Sequence, residues 1–279
     1  MQHILIPTDF SENAWNALEY GIRFYQKIEC TFYLVHINPI PGYSGAGTGL
    51  KKASGKLADS LLEESTKDLK ALIERVKELP IKTKHTFVPL AFYSYFTDTI
   101  KNIVEQKNID LIIMGTKGAS GLKKVTMGSN TGDVMTKVKC PLMAIPENAV
   151  YERPKEIAFP TDFKLGADLK VLDKVAELTT MNNAALRIMN ILDTGETLTK
   201  EQESNKDFLK KYLVDIDHSF HTLTNTKLDS AVQCFTESRD IDLIAMVAKN
   251  QNFFQRILFR PAVEQISYHT KVPFLVLHE

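Results

Sequence analysis

The chain repeats itself. Ile6-Pro7-Thr8-Asp9-Phe10 returns as Phe159-Pro160-Thr161-Asp162-Phe163, each time ending a short apolar run near the start of a half. A longer match needs no gap: laid on 241–273, the segment 109–141 pairs Ile109, Asp110, Leu111, Ile112, Met114, Lys117, Lys139 and Pro141 with identical residues. Halves that match in this way are expected to fold as two like domains in tandem. With 279 residues each half is long enough to bury a core of its own. The stretch Glu147-Asn148-Ala149-Val150-Tyr151-Glu152-Arg153-Pro154 is polar and ends in proline, so the domains are expected over 1–147 and 154–279.

In the first half, apolar runs of strand length fall at His3–Thr8, Thr31–Ile37, Thr83–Val88, Asp110–Gly115 and Leu142–Ile145. Helical patterns separate them. Ser11 is the expected N-cap of a helix whose buried face carries Trp15, Leu18, Ile22 and Tyr25. Leu57, Leu61, Leu62, Leu69, Leu72, Ile73 and Val76 line a longer helix, and Phe96, Ile100, Ile103 and Val104 a third; Ser129 to Val138 gives a fourth. The second half repeats the order, with strands at Ile157–Pro160, Leu186–Leu192, Ser219–Thr224, Leu243–Val247 and Phe274–Leu277. Strands that are apolar throughout and alternate with helices imply a parallel sheet covered on both faces, so each half reads as a doubly wound α/β domain. Lys82 and Lys84, in the third strand, would suit an exposed sheet edge.

Lys plus Arg equals Asp plus Glu at 34 each, so no global positive field points to nucleic acid or an anionic membrane. MQHILIPTDF lacks a basic region followed by an apolar stretch, and no apolar run approaches the roughly 20 residues that span a bilayer, so a cytoplasmic chain is expected. Cys30, Cys140 and Cys234 are odd in number, far apart and outside any C-x-x-C, and are expected to be buried structural thiols.

The chemistry concentrates in Met114-Gly115-Thr116-Lys117-Gly118, which follows the fourth strand, and in Gly128-Ser129-Asn130-Thr131, which opens the fourth helix. In an open parallel sheet, ligands sit beyond the carboxyl ends of the strands, and a helix N-terminus there offers free N–H groups to a phosphate. Gly115, Gly118 and Gly128 would let backbone approach phosphates closely, while Ser129 and Thr131 carry hydroxyl donors.

The spacing Gly-x2-Gly-x9-Gly-Ser, filled by Gly115, Gly118, Gly128 and Ser129, resembles the ATP-binding motif of universal stress proteins, and the Pro-Thr-Asp that ends the first strand is also a family feature. The resemblance runs over both halves and implies, for each, a five-stranded parallel sheet of order 3-2-1-4-5, the adenine nucleotide alpha hydrolase-like arrangement. It implies ATP with Mg2+ as the ligand. Pro7, Thr8 and Asp9 would lie beside the adenosine, with Ile37 offering backbone groups to the adenine edge. Met114, Gly115 and Gly118 would approach the ribose and phosphates, and Gly128, Ser129, Asn130 and Thr131 would hold the phosphate tail. It also implies pairing of like domains through their fifth strands, and leaves room for a homodimer and for a protein partner.

The second half serves as an internal control. Gly115 corresponds to Val247, Gly118 to Asn250, Gly128 to Arg260 and Ser129 to Pro261. Branched and bulky side chains remove the close approach, and proline removes a donor, so the second half is expected not to bind ATP in the same way. It is expected to be a packing partner for the first, with Arg256 and Arg260 open to some other anion.

Gly45-Ala46-Gly47-Thr48-Gly49 followed by Gly55-Lys56 imitates a second phosphate loop, but five residues separate Gly49 from Gly55 and Leu57 stands where Ser or Thr would reach magnesium. His218 and His221, three apart on a strand, face opposite sides and are not expected to share a metal. His36 ends the second strand beside the expected adenine position, as a structural group or a lining one. No arrangement of Ser, His and Asp, of Cys and His, or of paired carboxylates stands out for catalysis. The expectation is a nucleotide-binding, stress-response sensing module and no enzyme, with a slow ATPase, a nucleotidyl transferase or a nucleotide-free scaffold left as alternatives.

Overall fold

The computed structural model describes residues 1–40, 55–116, 128–164, 169–193, 195–224, 228–248 and 272–278. They form two units, one reaching Glu147 and one starting at Asn148. The first runs β1 (Gln2–Pro7), α1 (Glu12–Phe24), β2 (Cys30–Pro39), α2 (Gly55–Lys77), β3 (Thr86–Ser94), α3 (Phe96–Lys107), β4 (Leu111–Gly115), α4 (Ser129–Lys137) and β5 (Leu142–Ile145). Its strands are parallel in the order β3-β2-β1-β4-β5. Ile4, Leu5 and Ile6, Leu111 to Ile113, and Leu142 to Ile145 are buried, as strands covered on both faces require.

The helices pack for local reasons. Ser11 caps α1, its Oγ accepting from Ala14 N at 3.2 Å. Gly21 lets α1 approach β4, since a Cβ there would stand 2.7 Å from Ile113 Cδ1. Arg75 of α2 lies 3.8 Å over the Trp15 ring and donates to both Glu12 oxygens at 3.1 Å, tying α1 to α2. That guanidinium holds the Glu12 carboxyl below its ordinary range.

The second unit runs β6 (Glu156–Pro160), α5 (Leu169–Asn182), β7 (Ala185–Leu192), α6 (Lys200–Tyr212), β8 (His218–Thr224), α7 (Leu228–Ser238), β9 (Leu243–Val247) and β10 (Phe274–Leu277). Its parallel order, β8-β7-β6-β9-β10, is that of the first unit, so each half is a doubly wound domain of order 3-2-1-4-5. The duplication extends to backbone detail. Phe10 and Phe163 both take positive φ, 62° and 56°, and Asn108 and Asp240 do so after α3 and α7, at 48° and 49°. Asp110 Oδ2 accepts from His3 N at 2.7 Å, and Asp242 Oδ2 from Lys155 N and Glu156 N at 2.7 and 2.9 Å. The Ile-Asp-Leu shared by the halves thus fastens the fourth strand of each domain to the first.

Three expectations need correction. The third strand is Thr86–Ser94, not Thr83–Val88, and pairs with β2 from Thr31↔Thr86 to Pro39↔Ser94. It runs through Pro89 because an edge strand loses no ladder bond to a proline whose nitrogen faces outward. Lys82 and Lys84 therefore precede the strand and do not guard its edge. Cys30 and Cys140 are buried, but Cys234 is exposed, lying off the α7 face formed by Ala231, Val232 and Phe235. Leu57, expected on the apolar face of α2, is 49% exposed; Ser65, Leu69 and Val76 carry the buried stripe. Among the described residues no helix is long and apolar enough to cross a membrane.

Candidate functional site

In the first unit β1 and β4 pair at only two positions, Ile4↔Leu111 and Leu5↔Ile112. The ladder stops there although β1 continues to Pro7 and β4 to Gly115. The carboxyl ends of the two strands thus part where chain order reverses, which is where such sheets bind ligands.

On the β1 side of this crevice Pro7 and Thr8 are buried, while Asp9 is exposed. Thr8 N donates to Val35 O at 2.9 Å, and Thr8 Oγ1 accepts from Phe10 N at 3.0 Å. Asp9 Oδ1 accepts from Ser11 N at 3.1 Å and Ser11 Oγ at 2.5 Å, so Asp9 serves as the turn's own brace at the head of α1. His36 Nδ1 lies 2.8 Å from Thr8 O, which only accepts, so Nδ1 carries the hydrogen. The same ring stacks on Phe10 with centroids 4.6 Å apart. His36 is therefore a fixed wall of the turn.

Val35 turns its carbonyl toward β1, and backbone groups alternate sides along a strand. Two residues on, the N–H and C=O of half-buried Ile37 point to the same side, where β1 has already ended. That is the exposure that contact with a base edge requires.

On the β4 side Met114 is buried and Gly115 half-buried. Thr116 N bonds Ile145 O at 2.9 Å, and Thr116 O accepts from Gly128 N at 2.6 Å, so the two ends of the glycine segment are joined at a neck. Gly118 lies outside the described residues. Gly128, at φ −67° and ψ 150°, caps α4 in a conformation open to any residue, so its missing side chain matters for space and not for backbone handedness. Ser129 and Asn130 are exposed in the first turn of α4. Their N–H groups and that of Thr131 have no intrahelical acceptor and carry the positive end of the helix dipole. Thr131 differs from expectation in one respect: it is 3% exposed and gives its hydroxyl hydrogen to Gly115 O at 2.8 Å. It locks the helix start to the strand end, and its hydroxyl hydrogen is not directed to the crevice.

The second unit keeps the turn and changes its surroundings. Thr161 N bonds Met189 O, Phe163 N bonds Thr161 Oγ1, and Lys164 N bonds Asp162 Oδ1, at 2.8, 3.0 and 2.9 Å. Asn190 occupies the register position of His36 and gives Nδ2 to Thr161 O at 2.9 Å. Here α6 closes onto the turn, with Gln202 Nε2 on Asp162 O and Asn205 Nδ2 on Phe163 O, both at 2.7 Å. Val247 stands where Gly115 does. Asn250, Arg256, Arg260 and Pro261 lie outside the described residues, as does the 41–54 part of the imitation loop; Gly55 and Lys56 begin α2.

Sequence reasoning missed the pinning of the Thr carbonyl by His36 and Asn190, and the fastening role of Asp110 and Asp242. The second was signalled by identical residues at matched positions; the first shows only when the strands are set in register.

Comparison with known proteins agrees with this arrangement. A universal stress protein of Methanocaldococcus jannaschii is 27% identical over 143 residues, covering 51% of this chain and 80% of that one. A second from the same organism is 26% identical over 154 residues, covering 51% and 93%. The crystal structure of a universal stress protein from Archaeoglobus fulgidus superposes with a TM-score of 0.71 at 18% identity, covering 99% of this chain and 98% of that one, which speaks to the fold. The model of the Universal stress protein family matches residues 1–146, more than half of the sequence, and the chain belongs to that family.

Proposed function

We propose that the first domain is a nucleotide-binding module that holds one ATP, with Mg2+ carried on its phosphates, and that occupancy is the signal passed to a protein partner or a second copy of the chain. The observation that carries this reading is the α4 start. Three N–H groups without intrahelical acceptors, two of them on the exposed Ser129 and Asn130, sit beside the crevice at a neck closed by the 2.6 Å Thr116–Gly128 bond. Gly115 and Gly128 present no side chain on either side of that neck, so a phosphate chain can reach backbone donors directly. Ile37 and the Thr8–Asp9 turn would face the adenosine, and Thr131 and His36 would hold these elements in position.

The reading is binding without turnover: Asp9, the acidic member of the proposed set, braces Ser11. Equilibrium dialysis of the full chain with labelled ATP and Mg2+ tests it. Wild type should retain nucleotide, and Gly115→Val, which installs the second domain's residue, should weaken retention by roughly a hundredfold or more with its melting transition kept. Retention that is equal in both proteins would remove the site from this loop, and no retention by wild type would favour a scaffold.

A further inference from the structure

Set in register, the two sheets differ along one row. His3, Tyr33, Val88 and Leu90 of the first unit occupy the positions of Glu156, Arg187, Ser219 and His221 in the second. Where the first unit has a His3–Tyr33 ring contact at 5.8 Å followed by aliphatic residues, the second has a continuous polar chain. Arg187 donates Nε and Nη2 to the two Glu156 oxygens, at 2.5 and 2.9 Å, and Nη1 to Ser219 Oγ at 3.0 Å. Ser219 Oγ lies 2.7 Å from His221 Nε2. The guanidinium can only donate, so Ser219 accepts from it; an uncharged His221 with its lone pair on Nε2 takes the hydroxyl hydrogen, and the row is then satisfied from end to end.

We propose that the second domain is an acid-sensitive element, in which an uncharged His221 holds β8 against β7 and α7 and proton uptake at His221 loosens that edge. With a proton on Nε2 the ring can only donate, so Ser219 Oγ accepts from two cationic groups at once and its own hydrogen must turn away from the ring. The new charge has little to balance it. From β7 it meets Arg187. From the end of α7 it meets Arg239, 5.4 Å over the Phe235 ring, which itself lies 5.2 Å from the His221 ring. From β6 it meets Glu156, both of whose oxygens are given to Arg187. Asp217, ahead of β8, is 3.8 Å from Arg187 and largely exposed.

Burial first, then Arg239 and Arg187, push the His221 ring below its ordinary value of 6.5, against a smaller opposing pull from Glu156. The sign follows: above about pH 6.5 the ring costs nothing in either state. As pH falls through that value the unfolded chain takes the proton more readily than the folded one, and stability drops until the folded ring is charged as well. An edge strand opens at lower cost than the strands between which it would otherwise lie, so β8 should respond first.

Amide hydrogen exchange of the full chain, read as protection factors at about pH 7 and about pH 5.5, tests this on residues Ser219–Leu223. Wild type should lose protection there by a few-fold, with about tenfold as the ceiling that one proton over one pH unit sets, and His221→Gln should lose none that depends on pH. Should His221→Gln not fold, Arg239→Gln carries the test: removing an exposed cation should raise the pH at which the His221 ring titrates by NMR. Unchanged β8 protection in wild type, an equal fall in wild type and His221→Gln, or a His221 ring that titrates at or above 6.5, would each overturn the proposal.

Discussion

At the residue scale, several groups that look like ligand contacts or spacers are braces. Thr131 lends its only hydroxyl hydrogen to Gly115 O, which sets the distance between the end of β4 and the start of α4. Replacing it by valine keeps the shape and removes that bond, so Thr131→Val should cost about 1 kcal/mol in chemical denaturation and weaken ATP retention by several-fold, through position and not through contact. Asp242 receives two backbone donors from the start of β6. Asp242→Ala leaves both to water at a partly covered strand end, and urea unfolding should show a loss of about 1–2 kcal/mol. Nucleotide retention proposed for the other unit should be untouched by it.

At the element scale, close approach of helix to sheet sets the packing. Gly21 is the point at which α1 meets β4, and Gly21→Leu would drive a side chain into Ile113, at a cost of about 1–3 kcal/mol readable as a lower melting temperature. The strands that are buried on both faces were legible from their sequence, because a run such as Leu111-Ile112-Ile113-Met114 is apolar at every position. β3 was not, because a half-exposed edge strand carries mixed residues and tolerates Pro89 in its middle. The exposure of Cys234 is not legible in the sequence, because the spacing of cysteines does not say which side of α7 a residue takes. The glycine segment is visible in the sequence through its spacing, whereas the His36–Thr8 bond and the Glu156–Arg187–Ser219–His221 row join residues of different strands. Such pairs are set by register, which leaves no periodic trace in a single chain.

At the scale of the whole molecule, one duplicated fold has taken two courses. Both units keep the Thr-Asp-Phe turn with its positive-φ phenylalanine, the bond from that phenylalanine N to the Thr hydroxyl, and the bond from the Thr N to the second strand. The first keeps small residues at the strand and helix ends that border the crevice. The second replaces Gly115 by Val247, draws Gln202 and Asn205 of α6 onto the turn, and builds a polar row across β6, β7 and β8. The proposed functions divide accordingly, nucleotide binding to the first unit and proton response to the second. The number of nucleotides bound separates these courses, and calorimetric titration of the full chain with ATP and Mg2+ measures it directly. One ATP per chain is the expected result; two would contradict the loss of the second site, and none would contradict the site itself.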